Sequence, residues 1–176
     1  MNSIARRPLG AIFLSAATAL AISMPSTAAA QEGPGLLANT MGQGHWRVAV
    51  SPFSHHFRYN AEHRYVWALG GEWQRSDGWL AGASYFSNSF GQPSAYVYVG
   101  KRWPKLFGHE QLFAQASGGM LYGYRGKYED KVPLNYKGFS PGALVGLGWQ
   151  FNKNFSVTGH MLGDAGVMFQ LSYDLR

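Results

Sequence analysis

The sequence contains no cysteine. That absence excludes a thiol nucleophile, a disulfide framework, a cysteine-ligated zinc site and a lipid-anchored lipoprotein. Charge is scarce as well: 14% of the 176 residues are Asp, Glu, Lys or Arg, with 9 acids against 15 bases. Beyond residue 30, no stretch approaches the roughly 20 apolar residues that a membrane helix requires. Neither an H-E-x-x-H nor a G-x-S-x-G segment is present, so these zinc-hydrolase and serine-hydrolase signatures are missing. What is abundant is glycine, with 23 residues, and aromatic side chains, at 15%. That balance, broken by short polar stretches, favours strands over helices.

The first thirty residues read as an address. Arg6 and Arg7 precede an apolar run over 10–24, Pro25 breaks it, and Ala28, Ala29 and Ala30 offer small residues for cleavage. This order predicts a secretory signal peptide over 1–30, a glycine-rich lead-in over 31–44 and one structural domain over 45–176. Removing Arg6 and Arg7 still leaves a net positive chain. On an exported protein that charge suits anionic lipid head groups rather than nucleic acid.

From residue 45 onward the sequence alternates with period two. Eight such segments cover 45–53, 65–75, 79–86, 95–102, 111–124, 139–151, 155–162 and 167–175. Asp77-Gly78 is a hairpin turn signal between the second and third. One face carries residues such as Trp46, Val48, Val50, Val97, Val99, Val145, Leu147 and Phe169. The opposite face carries Glu72, Gln74, Gln115, Gln150, Gln170 and Asp174, with many glycines. A soluble barrel turns its apolar face inward, whereas a lumen of Gln, Ser and Gly inside an apolar wall is the outer-membrane arrangement. The expected fold is therefore an all-β, eight-stranded antiparallel transmembrane β-barrel. Its closure leaves no free edge, so a monomer is expected. A periplasmic barrel with the faces exchanged is the competing fold.

An even strand number puts both ends of the barrel on the periplasmic side. The outer loops then fall at 54–64, 87–94, 125–138 and 163–166. The first holds His55, His56, Glu62 and His63, the second Asn88 and Ser89, and the third Arg125, Lys127, Lys131 and Lys137. A histidine here can act as a general base toward a hydroxyl, and a serine matters when such a base is adjacent. Read from spacing alone, the same residues are two surface histidines and a turn cap. His45 and His160 are expected as hydrogen-bonded interior residues, with no third ligand to make a metal site. The inward glycines, among them Gly70, Gly82, Gly142 and Gly148, either leave a void for an acyl chain or relieve curvature strain.

From His45 to its end the chain resembles the outer-membrane lipid A palmitoyltransferase (PagP) family. The likeness is carried by His55-His56-Phe57-Arg58-Tyr59 after the first strand and Trp67-Ala68-Leu69-Gly70-Gly71 in the second. It continues with Tyr85-Phe86-Ser87-Asn88-Ser89-Phe90 after the third, and with Val132-Pro133-Leu134 ahead of Ser140-Pro141-Gly142. The resemblance implies transfer of a palmitoyl or similar chain from a phospholipid donor to lipid A in the outer membrane, without metal or diffusible cofactor. Its base would be His56 or His55, with His56 nearer the aromatic stretch, and its serine would be Ser89. Asn88 stands where the family has an aspartate. An amide can orient a partner but holds no charge, so Glu62, Asp130 or Asp164 would have to supply any carboxylate. The family's N-terminal amphipathic helix is opposed here by Gly33, Pro34, Gly35, Gly42 and Gly44. Pro52, Pro133 and Pro141 are candidates for the proline breaks through which lipid enters sideways. The alternative is a non-catalytic small barrel for membrane integrity or adhesion. A lipid A deacylase would carry His-x-Ser on a late strand, where this chain reads His160-Met161-Leu162.

Overall fold

The computed structural model describes residues 41–176; the expected signal peptide and most of the lead-in lie outside them. Every alternating segment forms a strand: β1 (Gly44–His56), β2 (Ala68–Arg75), β3 (Trp79–Ser87), β4 (Pro93–Trp103), β5 (Leu112–Tyr122), β6 (Phe139–Gln150), β7 (Phe155–Met161) and β8 (Gly166–Leu175). Each pairs antiparallel with its chain neighbour, and β8 returns to β1, closing the barrel. Closure satisfies the backbone ladder within the wall, which is what allows strands to sit in hydrocarbon.

The alternation resolves as apolar outside and polar inside. Val97, Val99, Val145 and Leu147 each expose 57–61% of their surface, while Arg47, Glu72, Gln74, Gln115 and Asp174 are buried in the lumen. In water this distribution would be strongly unfavourable; in a bilayer it is the expected one. Aromatic residues mark both rims. Trp46, Trp79, Trp103 and Trp149 lie near the turns at 76–78, 104–111 and 151–154, and Phe53, Tyr85 and Phe139 lie toward the opposite end.

Two boundaries differ from the local pattern. β1 runs on through His55 and His56, and β2 begins only at Ala68. The cause is a bulge between Val50 and Phe53, at Pro52, which resets the alternation while β8 continues to pair with β1 as far as His56↔Gly166. The β1–β2 ladder, by contrast, ends at Ser51↔Ala68, and the Tyr65 hydroxyl donates to the Pro52 carbonyl beyond it. A second opening lies between β6 and β7, whose ladder stops at Val145↔Met161 and leaves Pro141 beyond it, paired on its other side with Met120. Pro133 is in the 123–138 loop, where its carbonyl accepts the Ser140 hydroxyl.

Inside, the periplasmic half is packed around Arg47. Its Nε donates to Asp174 Oδ1 at 2.5 Å and its Nη1 to Glu72 Oε1 at 2.8 Å and Gln74 Oε1 at 3.2 Å. Tyr98 donates to Glu72 Oε2 at 3.1 Å, and His45 and Arg176 approach Asp174 at 3.3 and 3.0 Å. Tyr96 stacks on Tyr98 above this network, with centroids 4.9 Å apart. The inward glycines leave no void at these levels, and Gly100 and Gly119 permit close backbone approach, since a Cβ there would overlap the Ala116 and Val97 carbonyls. Others seat rings: a Cβ at Gly142 would meet Tyr96 at 2.9 Å, and one at Gly148 would overlap Phe113. His160 is buried as expected, but among the described residues neither ring nitrogen finds a hydrogen-bond partner, which corrects the expectation of a bonded histidine.

The outer half of the lumen is built differently. Ala68, Phe86, Leu121, Leu144 and Met168 occupy inward positions yet are only half-buried. They line the lumen above the tyrosine pair.

Candidate functional site

Beyond the Pro52 bulge the alternation of β1 turns Ser54 and His56 toward the lumen and Phe53 and His55 toward the outside. His55 is exposed and meets the Phe57 ring edge-on at 6.3 Å. His56 instead brings Nε2 to 2.8 Å from the Ser89 hydroxyl, across the outer mouth from the end of β3. Of the four residues singled out from the sequence, the structure joins His56 and Ser89 and sends His55 to the lipid-facing surface.

Asn88 has a different task. It is 1% exposed, and its side-chain carbonyl accepts the backbone N–H groups of Phe90 at 2.9 Å and Gln92 at 3.0 Å. Its amide reaches the Gly123 carbonyl at 3.4 Å. Asn and Asp close such turns because a short side-chain oxygen can mimic a backbone acceptor. Asn88 thus builds the 88–92 turn that presents Ser89, and its side chain makes no hydrogen bond to His56. The Ser89 carbonyl accepts the Arg64 N–H at 2.8 Å, which ties the first outer loop to this turn.

Aromatic rings back the pair. His63 lies against His56 with centroids 4.1 Å apart, and Phe90 meets His63 edge-on at 5.7 Å. Phe90 also stacks on Tyr128 at 4.1 Å and meets Tyr124 at 6.2 Å. Burial pushes the Tyr124 hydroxyl above its ordinary value, and hydrogen bonding to Ser89 works against that shift. Three outer loops therefore converge on one His–Ser pair. His63 and Tyr124 were not legible as parts of a site: each comes from a different loop, and only closure of the barrel brings them together.

The carboxylates go elsewhere. Glu62 accepts from Lys127 at 2.5 Å, Asp130 from Lys131 at 3.0 Å, and Asp164 faces Arg58 at 3.9 Å. The Lys127 hydrogen bond holds the Glu62 carboxyl below the usual carboxylate range. None of the three therefore stands behind His56. In the third loop, Lys127 and Lys131 are spent on these pairs, while Arg125 lies over the Tyr122 ring and Lys137 over Tyr136. Among the described residues, no group of three His, Asp or Glu side chains is placed to hold a metal ion.

Chemically, a neutral imidazole at hydrogen-bond distance from a hydroxyl can accept its proton, and 2.8 Å is within reach for general-base work. Taking the Ser89 proton requires the lone pair on Nε2; with the proton on Nε2 instead, Ser89 accepts the hydrogen bond and Nδ1 is the basic nitrogen.

No protein-family profile matches the chain, and no curated protein matches it in sequence. Among solved structures, a de novo designed transmembrane β-barrel aligns with a TM-score of 0.54 at 12% identity, covering 76% of this chain and 97% of that one. The outer-membrane protein Ail of Yersinia pestis aligns in a phospholipid nanodisc with a TM-score of 0.45, at 12% identity over 76% of this chain and all of Ail. Ail in complex with the heparin analogue sucrose octasulfate aligns with a TM-score of 0.43, at 12% identity over 75% of this chain and 98% of Ail. These are likenesses of fold. A closed eight-stranded barrel with an apolar exterior and a charged, hydrogen-bonded interior is an integral protein of the bacterial outer membrane.

Proposed function

We propose that the protein transfers an acyl chain from a phospholipid to lipid A at the outer surface. The observation that carries this reading is the 2.8 Å contact between His56 Nε2 and Ser89 Oγ, set at the outer mouth of the barrel above half-buried Leu144 and Met168. In the reaction, the lipid A hydroxyl attacks the donor's ester carbonyl. His56 takes the hydroxyl proton and returns it to the glycerol oxygen as the old ester bond breaks. The products are acylated lipid A and a lysophospholipid. Ser89 orients the imidazole by accepting a hydrogen bond from the Nε2–H, which leaves the lone pair on Nδ1 to take the acceptor's proton. Ala68, Leu121, Leu144 and Met168 would receive the chain, and the openings at Pro52 and Pro141 are where it would pass through the wall. Arg125 and Lys137 remain as cations for the acceptor's phosphates.

One observation favours the second reading, a non-catalytic barrel for membrane integrity or adhesion: no carboxylate supports His56, since Asn88 is committed to its turn. Mass spectrometry of lipid A from cells carrying the wild type, His56→Ala and His55→Ala separates the two. Acyl transfer predicts a species heavier by one acyl chain with the wild type and with His55→Ala, and a loss of roughly 10²-fold or more with His56→Ala. Lipid A that stays unchanged when the wild-type barrel is folded in the membrane sinks the catalytic reading.

A further inference from the structure

At the opposite end, the periplasmic mouth opens into a chamber of about 750 Å³ ringed by residues of all three short turns, including Gly78, Gln111 and Lys153. Arg102 forms part of its wall. This side chain is 8% exposed, and its guanidinium lies flat against the Phe113 ring, 3.3 Å from the centroid. Its Nη2 donates to Gln150 Oε1 at 3.0 Å. A guanidinium has five N–H donors, and Gln150 is the one acceptor that Arg102 finds among the described residues. No carboxylate lies within ion-pair distance of it there, and buried charges are ordinarily paired.

The other charges around the chamber cancel. Arg47 is matched by Glu72 and Asp174, Arg176 approaches Asp174, Arg75 pairs with Asp77, and Glu110 with Lys105. Arg102 and Lys153 are left over, two positive charges on one cavity. Stacking on Phe113 restrains the fork and limits the ordering cost of binding. A phosphoryl group carries about one to two negative charges at neutral pH and offers several acceptor oxygens. We propose that this chamber binds a phosphate-type oxyanion, held by the Arg102 fork and the Lys153 ammonium. Its source is either free phosphate or the phosphodiester of an anionic lipid headgroup on the periplasmic leaflet. The site is independent of the His56–Ser89 pair and does not rest on acyl transfer.

The test uses the protein extracted from outer membranes into maltoside micelles, which carry no phosphate. One arm adds inorganic phosphate at constant ionic strength; the other adds phosphatidylglycerol to the micelle. The readout is the NMR shift of the Arg102 Nε–H and of the Gly78 and Gln150 amides, with the Ser89 amide as the distant control. The expected result is a saturable shift at the periplasmic mouth that leaves Ser89 unmoved. Binding is weakened at least tenfold in Arg102→Gln and about three- to tenfold in Lys153→Gln. Saturation by inorganic phosphate identifies a free oxyanion; saturation by phosphatidylglycerol alone identifies the headgroup. No saturable shift in either arm, or the same shift with chloride, overturns the proposal. Lys153 sits in an exposed turn, so Lys153→Gln decides the matter should Arg102→Gln fail to fold: unchanged affinity in it also overturns the site.

Discussion

Toward the periplasmic end the lumen holds a charged network around Arg47 at the head of an open chamber, whereas toward the outer end it is lined by half-buried Phe86, Leu121, Leu144 and Met168. The difference follows from what each kind of side chain demands. Buried charges are ordinarily met by fixed partners, as Arg47 is by Glu72 and Asp174, and in the same half Tyr96 and Phe113 are seated on glycines. Apolar walls demand no such partner, and these side chains line the lumen beneath the His56–Ser89 pair. Stability is concentrated in one half and candidate chemistry in the other.

Substitutions can break that division. The largest effect on stability is expected from Arg47→Ala, which strips Glu72 and Asp174 of the cation between them. Removing one partner of a buried ion pair costs about 3–5 kcal/mol. The urea midpoint of the refolded barrel should fall accordingly, while the proposed lipid A acylation, per folded molecule, stays at the wild-type level. A parallel loss of modification would show that the two halves are coupled.

Asn88→Asp sharpens the comparison at the other mouth. The new carboxylate would face the Phe90 and Gln92 N–H groups but lose the donor to Gly123, in a buried position. A destabilisation of about 1–3 kcal/mol is expected, with no gain in lipid A modification. A gain would mean that the carboxylate swings to His56 and completes a charged triad. The smallest effect belongs to Glu62→Gln. It removes the exposed pair with Lys127 and should leave the unfolding midpoint within experimental error.

The strands themselves were legible because side chains alternate with period two, and a run such as Val97 and Val99 against Tyr96 and Tyr98 admits one face assignment. His56 and Ser89 could be nominated from their places after the first and third strands. Their contact could not be read, because the Pro52 bulge hides the extra reach of β1 from any local pattern. That reach depends on pairing with β8, at the far end of the chain. Asn88 looked like a partner for His56 and is a turn builder instead, since the backbone N–H groups of its own turn lie closer at hand.

The sequence by itself determined the strand number, the outward apolar face and the outer-membrane environment, all of which follow from short-range alternation and composition. Only the tertiary structure decided which histidine meets Ser89, which cations are taken up in ion pairs, and that Arg102 is buried without a carboxylate. Those outcomes depend on side chains from strands and loops far apart in sequence, and ring closure alone sets their distances.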